Sequence, residues 1–307
     1  MSFTTEVAEE LLSLPVGKTC CRKALLYGLF FGGRSRSEGN MVSAVFRHKK
    51  VAELACELLS RQFSALADLE ELTVAGRQVF KLCVKSKALA LFVSEIIGDS
   101  ERELREIAGF RCGNCAHDFL RGVFLSAATI NDPRRGYHLE FSFDDERVAD
   151  RLFLFLTKES AAPKKILRNK KVGVYYKSNG AIGDILYYVG ASKASFDFAN
   201  VCIEKDIRNI ENRATNCVAR NISRSVGASQ KHISAIEYIQ ACHKLETLSE
   251  ELRYTAELRC EYDSASLAEL AMLHNPPITK SGLNQRLIKI LSIAEDLKNE
   301  KTRDSSI

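Results

Sequence analysis

CCRKALLYGLF (residues 20–30) and NCAHDFLRGVF (residues 114–124) align at one offset of 94, with Cys21 on Cys115, Leu26 on Leu120, Gly28 on Gly122 and Phe30 on Phe124. The agreement continues downstream in the same order. VAELACELL (51–59) answers VADRLFLFL (148–156) at an offset of 97. Lys85-Ser86 answers Lys177-Ser178, and Gly98 answers Gly190, both at 92. Ordered matches with a slowly drifting offset mark a duplicated unit of about 90–100 residues, longer than a solenoid period and therefore one half of a domain. The repeats are placed at about 1–100 and 108–200.

Each half mixes periodicities. A glycine-containing apolar helix (about 20–32 and 114–127) leads to strand-like segments, Met41–Arg47 and Tyr137–Phe143, the second alternating as YHLEFSF. An amphipathic helix (49–63, 146–159), a hairpin (69–84, 164–177) and a further helix (87–97, 180–190) complete the unit. Helix followed by paired strands, twice over, predicts an α+β class rather than a doubly wound sheet. Glycine inside a helix costs up to about 1 kcal/mol against alanine. Its presence at both Gly28 and Gly122 predicts two helix backbones in close approach across a pseudo-twofold axis.

The whole chain has 307 residues, 46% of them apolar and 27% charged, with only 5 prolines, which excludes wholesale disorder. A net charge of +5 permits nucleic acid or an acidic partner without requiring either. No segment approaches the roughly 18 apolar residues of a membrane span. The run ALLYGLFFGG (24–33) follows Glu6, Glu9 and Glu10, where a signal peptide wants positive charge. The expectation is a soluble, cytoplasmic protein with no membrane contact. Ten cysteines are too few for a disulfide scaffold, and most stand alone among aliphatics. Cys20–Cys21 and Cys112–x–x–Cys115 stand apart at the starts of two helices that the repeat sets side by side. A four-thiolate zinc site is one reading, although adjacent cysteines lack the usual spacing of two to four residues. The other is cysteines packed at helix ends. The assignment from sequence is no metal and no cofactor.

From Val201 the character changes, and residues 201–230 are read as an Asn/Arg-rich linker before a third region, 231–307. DIRNIENRATNCVARNISRS (206–225) carries Arg208, Arg213, Arg220 and Arg224, with Asn209, Asn212, Asn216 and Asn221 recurring every three to five residues. On one helical face, amides and guanidiniums reach phosphates and base edges; a polar, turn-rich linker is the alternative. Three helical segments follow. The first is Leu245–Glu261. The second, SLAELAMLH, opens on the capping box Ser266–Glu269 and stops at His274-Asn-Pro-Pro277. In the third, Thr279 caps KSGLNQRLIKILSIAEDL, where Leu283, Leu287, Ile290, Leu291 and Ala294 form the apolar stripe. Lys280, Ser281, Asn284, Gln285 and Lys289 lie opposite, with Arg286 at the margin and no acid from Thr279 to Ala294. A short capped helix, a tight turn and an acid-free second helix form the pattern of a helix-turn-helix whose recognition helix enters the major groove. A solvated amphipathic face is the bland alternative. A second basic stretch, with Lys164, Lys165, Arg168, Lys170, Lys171 and Lys177, could track a DNA backbone or simply protect a sheet edge.

The helices LYGLFFGGR (26–34) and LRGVFLSAA (120–128) resemble the signature helices of the two-repeat LAGLIDADG homing endonucleases. Together with SAATINDPRRGYHLEF (126–141), the opening MSFTTEVAEELL and the closing ITKSGLNQRLIKI (278–290), the chain resembles the WhiA family from end to end. The resemblance implies a degenerate endonuclease-like domain over 1–200 joined to an all-α helix-turn-helix domain, and a role in transcriptional control of cell division, chromosome segregation and sporulation. It implies double-stranded DNA as partner, with RNA polymerase or other transcription and division proteins beside it, and a place on the bacterial nucleoid. DNA contact is assigned to Thr279, Lys280, Ser281, Asn284, Gln285, Arg286, Lys289, Arg208, Asn212, Arg213 and Asn216. A nuclease of this fold needs an acid near the end of each signature helix to hold divalent metal. The corresponding eighth positions are Gly33 and Ala127, the sixth Phe31 and Leu125, and the nearest acids, Glu38 and Asp132, lie farther on. The expectation is no enzymatic activity.

Overall fold

The structure, a computed structural model, describes residues 2–98, 101–159, 162–168 and 171–304, and divides into two compact units, Met1–Ile207 and Arg208–Ile307. Among the described residues no helix is long and apolar enough to cross a membrane.

The first unit opens with α1 (Phe3–Ser13) and contains the duplication. Its first half runs α2 (Thr19–Gly32), β1 (Arg36–Glu38), β2 (Met41–Phe46), α3 (Lys49–Phe63), β3 (Ala67–Val74), β4 (Arg77–Lys85) and α4 (Lys87–Ile97). After the single turn α5 (Leu104–Ile107), the second half repeats it as α6 (Asn114–Ala127), β5 (Ala128–Ile130), β6 (Leu139–Phe143), α7 (Glu146–Glu159), β7 (Lys164–Arg168), β8 (Lys171–Tyr176) and α8 (Asn179–Tyr188). The two antiparallel sheets share one strand order, β1-β2-β4-β3 and β5-β6-β8-β7. Along β2, Val42, Ala44 and Phe46 point into the core; along β6, Leu139, Phe141 and Phe143 do the same. That is the two-residue period of a half-buried strand.

The signature helices α2 and α6 cross at the centre with almost nothing between them. A methyl group added at Gly28 would lie 2.0 Å from the carbonyl oxygen of Phe119, and one added at Gly122 would lie 2.3 Å from that of Leu25. One turn on, Ser126 Oγ donates to the Gly122 carbonyl at 2.8 Å, close to where a Gly32 side chain would be. The close approach expected from the two glycines is present, and it makes the α+β two-repeat domain one body. Buried Arg121, on α6, donates from Nη2 to the carbonyls of Leu11 (2.6 Å) and Leu14 (2.7 Å), supplying partners to the end of α1.

The sequence reading missed α5 and the three-residue strands β1 and β5, which are too short to show a period, and also α1, whose Val7, Ala8 and Leu11 lie on one helical face but precede the repeat. The helix expected over 180–190 ends at Tyr188, because Gly190 takes φ +94° and Ala191 N–H returns to the Leu186 carbonyl at 2.9 Å. Residues 201–230 are helical. They lie within α9 (Ser192–Ala241), and the division between the two units falls inside that helix.

The second unit packs the end of α9 with α10 (Glu250–Glu261), α11 (Leu267–Leu273) and α12 (Lys280–Asp304). The helix expected from Leu245 begins at Glu250: Ser249 is its extended N-cap, and Glu250 and Glu251 suit the first turn. Ala235, Ile236, Ile239, Ala256, Leu270, Leu283, Leu287 and Ile290 form the core. Arg259 is 1% exposed and holds the α10–α11 corner. Its Nη1 donates to the Ala265 carbonyl at 2.8 Å and to Ser229 Oγ and the Tyr262 and Asp263 carbonyls at 3.3 Å. Removing this donor leaves buried carbonyls without a partner, so Arg259→Met is expected to destabilise the second unit by about 1–3 kcal/mol in chemical denaturation.

His232 and His274 are buried in this unit, and among the described residues Nδ1 of the first and Nε2 of the second have no hydrogen-bond partner. Burial, then Arg259 for His232 and Arg286 for His274, lowers both below their ordinary value of 6.5. A folded-state value below the unfolded one means that their contribution is complete above about pH 6.5. It is lost as pH falls and the unfolded chain takes up protons that the fold refuses. The Tm of the second unit is therefore expected to drop between pH 7 and 5, and less so in a His232→Leu/His274→Leu variant.

Candidate nucleic-acid interface

The α11–α12 pair builds the candidate interface. Ser266 Oγ accepts from Glu269 N–H at 3.3 Å while the Glu269 carboxylate accepts from Ser266 N–H at 2.8 Å, closing the capping box that starts α11. The turn then folds back, with Ile278 N–H on the Ala271 carbonyl at 3.0 Å. Thr279 caps α12 through its Oγ1, which accepts from Gly282 N–H at 3.1 Å. With glycine in place of an acid at that third position, the positive end of the helix stays uncompensated. Leu283, Leu287, Ile290 and Ala294 are buried, and Leu291 is half-buried. That anchorage turns Lys280, Ser281, Asn284, Gln285 and Lys289 outward, all of them exposed. Arg286 differs. It is half-buried and held by Glu251 at 3.2 Å, so its guanidinium is already engaged.

On α9, Arg208, Asn212, Arg213 and Asn216 are all exposed. At 3.6 residues per turn, Asn209, Asn212, Arg213, Asn216, Arg220 and Arg224 fall within about a third of the helix circumference, and Glu211 lies on the other side. The structure thus gathers two polar, cationic surfaces from residues 208–224 and 279–289. In the hairpin β7–β8, register puts Lys164, Arg168 and Lys171 on the solvent face with Tyr175. Arg168 meets Glu140 at 3.9 Å, Lys171 meets Asp144 at 3.8 Å, and Lys165, on the opposite face, is bonded to Glu146 (3.0 Å) and Asp150 (2.6 Å). Lys170 lies outside the described residues. The basic stretch is thus largely paired within its own unit.

At the ends of the signature helices, Gly33 caps α2 and Ala127 is the last residue of α6; neither offers a metal ligand. Asp132 accepts from Arg134 N–H at 2.8 Å, the turn role its proline neighbour indicates, and Glu38 sits exposed on β1. A groove of about 650 Å³ opens below the helix ends, lined by Phe31, Arg34, Lys81, Asp144 and Asp145 among others. Sequence reasoning missed its two acids because they follow β6 and only the fold carries them there. Asp144 bonds Arg34 at 3.3 Å, and Asp145 bonds Arg147 at 3.1 Å, with its pKa lowered chiefly by that hydrogen bond. Both carboxylates are engaged by arginines.

At the opposite ends of α2 and α6 the four cysteines of interest meet. Cys112 lies 3.6 Å, sulfur to sulfur, from each of Cys20, Cys21 and Cys115. Hydrogen bonds from Cys115 and Cys21 pull the Cys112 thiol down to about 7.

Comparison with known proteins agrees with this architecture. A model of the WhiA LAGLIDADG-like domain matches residues 116–208, and one of the WhiA C-terminal HTH domain matches 212–294. A protein named "Probable cell division protein WhiA" from Syntrophomonas wolfei is 32% identical over 98% of this chain and 100% of its own length. One of the same name from Lachnoclostridium phytofermentans is 34% identical over 97% and 100%. The crystal structure of full-length DUF199/WhiA from Thermatoga maritima shares the fold, with a TM-score of 0.58 at 22% identity, covering 96% of this chain and 99% of that one. Two domain models in the expected order and full-length relatives above 30% identity establish that the chain belongs to the WhiA family.

Proposed function

We propose that this protein is a sequence-specific, non-enzymatic regulator of transcription that binds double-stranded DNA and acts in cell division, chromosome segregation and, in a spore former, sporulation. One observation carries the DNA-binding reading: α12 is anchored by Leu283, Leu287 and Ile290 while an acid-free row from Lys280 to Lys289 faces solvent. Asn284 and Gln285 have the paired donor and acceptor that suit adenine, and the capped helix start with Lys280 and Ser281 suits a phosphate. Arg208, Asn212, Arg213 and Asn216 add contacts to the backbone. Arg286 orients the helix through Glu251 and reaches a base only by leaving that partner. The names of the relatives support the cell-division role.

The non-enzymatic reading is supported by Gly33 and Ala127 at the signature-helix ends and by the arginines that engage Asp144 and Asp145. Incubating the full chain with supercoiled plasmid and Mg²⁺ or Mn²⁺ is expected to leave the plasmid intact while retarding its migration. Nicking that depends on the metal would overturn this part.

A second reading, an interaction scaffold for RNA polymerase or other transcription and division proteins, is favoured by exposed apolar residues on the part of α9 in the second unit: Ile210, Val218 and Ile222. Large apolar side chains exposed on one helix face mark contact surfaces. If that reading holds, Ile210→Lys with Val218→Lys abolishes co-purification of such proteins and leaves affinity for DNA unchanged.

A further inference from the structure

The four cysteines left open by the sequence converge from both repeats. Cys20 and Cys21 stand in the first turn of α2, Cys115 in the first turn of α6 and Cys112 in the turn before it, and all four sulfurs lie within 4.8 Å of one another. All four thiols are free. A disulfide would need about 2.05 Å between sulfurs, whereas the separations to Cys112 are 3.6 Å. Four thiolates at 2.3 Å from one tetrahedral zinc ion lie about 3.8 Å apart. The three separations to Cys112 are close to the edge of such a tetrahedron, and the other three stay within 4.8 Å, near enough for one ion to draw the four sulfurs together.

We propose that Cys20, Cys21, Cys112 and Cys115 bind one Zn²⁺ as a closed tetrathiolate site that ties the two repeats together. Burial fits a structural centre: Cys21 and Cys115 are buried and the other two half-buried, leaving no open position for substrate. Arg111 N–H points at Cys115 Sγ at 3.5 Å, the amide-to-sulfur bond that orients a thiolate ligand. The unusual adjacency of Cys20 and Cys21 is accommodated because Cys112 lies within reach of both. A cluster of several irons would interpose metal and sulfide between the thiolates and hold them farther apart than this, so the geometry selects a single ion. Binding releases four thiol protons to solvent and leaves a net charge of −2. It faces two helix N-termini, whose positive ends favour it, and the flanking sequence carries Lys18, Arg22, Lys23 and Arg111.

The test uses the full chain purified under reducing conditions without chelator, with metal measured by plasma mass spectrometry. About one zinc per chain is expected, with less than a tenth of that in Cys112→Ser/Cys115→Ser and an unchanged amount in Cys217→Ser. Exchange of the wild-type protein into Co²⁺ is expected to give the visible bands and thiolate charge-transfer absorption of tetrahedral cobalt–sulfur coordination. This arm needs no variant and decides the matter if the double variant does not fold. A metal-free protein with four reactive or oxidised thiols, zinc retained by the double variant, or cobalt bands of octahedral oxygen coordination would each overturn the proposal.

Discussion

An alanine at Gly28 is expected to cost the first unit about 3 kcal/mol or more, at the upper end of what overpacking a core does. The added methyl would sit 2.0 Å from the Phe119 carbonyl oxygen and 3.1 Å from the Gly122 Cα. These are backbone atoms of the facing helix, which no rotamer change can move. Relief therefore requires α2 and α6 to separate, and the side chains that close around them, Leu25, Leu29, Phe119 and Val123, are all fully buried. Gly122→Ala meets the Leu25 carbonyl at 2.3 Å and is expected to behave alike. Gly183, inside α8, is the internal control, since an added methyl there meets nothing within 4 Å among the described residues. Gly183→Ala is expected to stabilise by up to about 1 kcal/mol through helix propensity. Thermal and chemical denaturation of the three variants check this, and a Gly28→Ala protein that melts with the wild type contradicts the packing described.

The second large effect concerns binding. Asn284→Ala and Gln285→Ala are each expected to cost about 1–3 kcal/mol against the preferred DNA sequence, roughly fivefold to 150-fold apiece, and little against unrelated duplex. Both side chains are exposed, so folding should change by no more than about 0.5 kcal/mol. Lys280→Ala and Lys289→Ala should instead weaken binding to every sequence alike and lower the slope of log K against log salt by about one each. Glu251→Gln offers a finer probe. By releasing Arg286 from its 3.2 Å ion pair it should raise nonspecific affinity and sharpen the salt dependence. Titrations of specific and scrambled duplexes at several salt concentrations separate these cases.

Much of this was legible because it is written in periods. The repeat was visible in paired glycines and in apolar residues spaced for helices, and YHLEFSF declared a strand by strict alternation. Thr279 and Ser266–Glu269 announced their helices because capping is local chemistry between residues three apart. What sequence could not show is what the fold assembles. Asp144 and Asp145 reach the signature-helix ends only through the path of β6. Arg286 reads as one more exposed cation until α10 brings Glu251 beside it. Cys20 and Cys112 are separated by 92 residues yet touch, and the adjacency of Cys20 and Cys21, which argued against a metal on spacing, ceases to matter once Cys112 is placed against both. The continuity of α9 was also hidden: Ile207, Ile210, Val218 and Ile222 are spaced for a helix, but they are exposed, and the Asn- and Arg-rich composition around them reads equally as a linker.

Sequence-specific recognition by α12 is decided by selection from a random duplex library with the full-length protein at about 0.15 M salt, where screening suppresses loose surface attraction. An enriched motif is expected, and it disappears when Asn284 and Gln285 become alanine in an otherwise folded protein. Retention that is indifferent to sequence, fades steadily with added salt and is unchanged in that variant would contradict it.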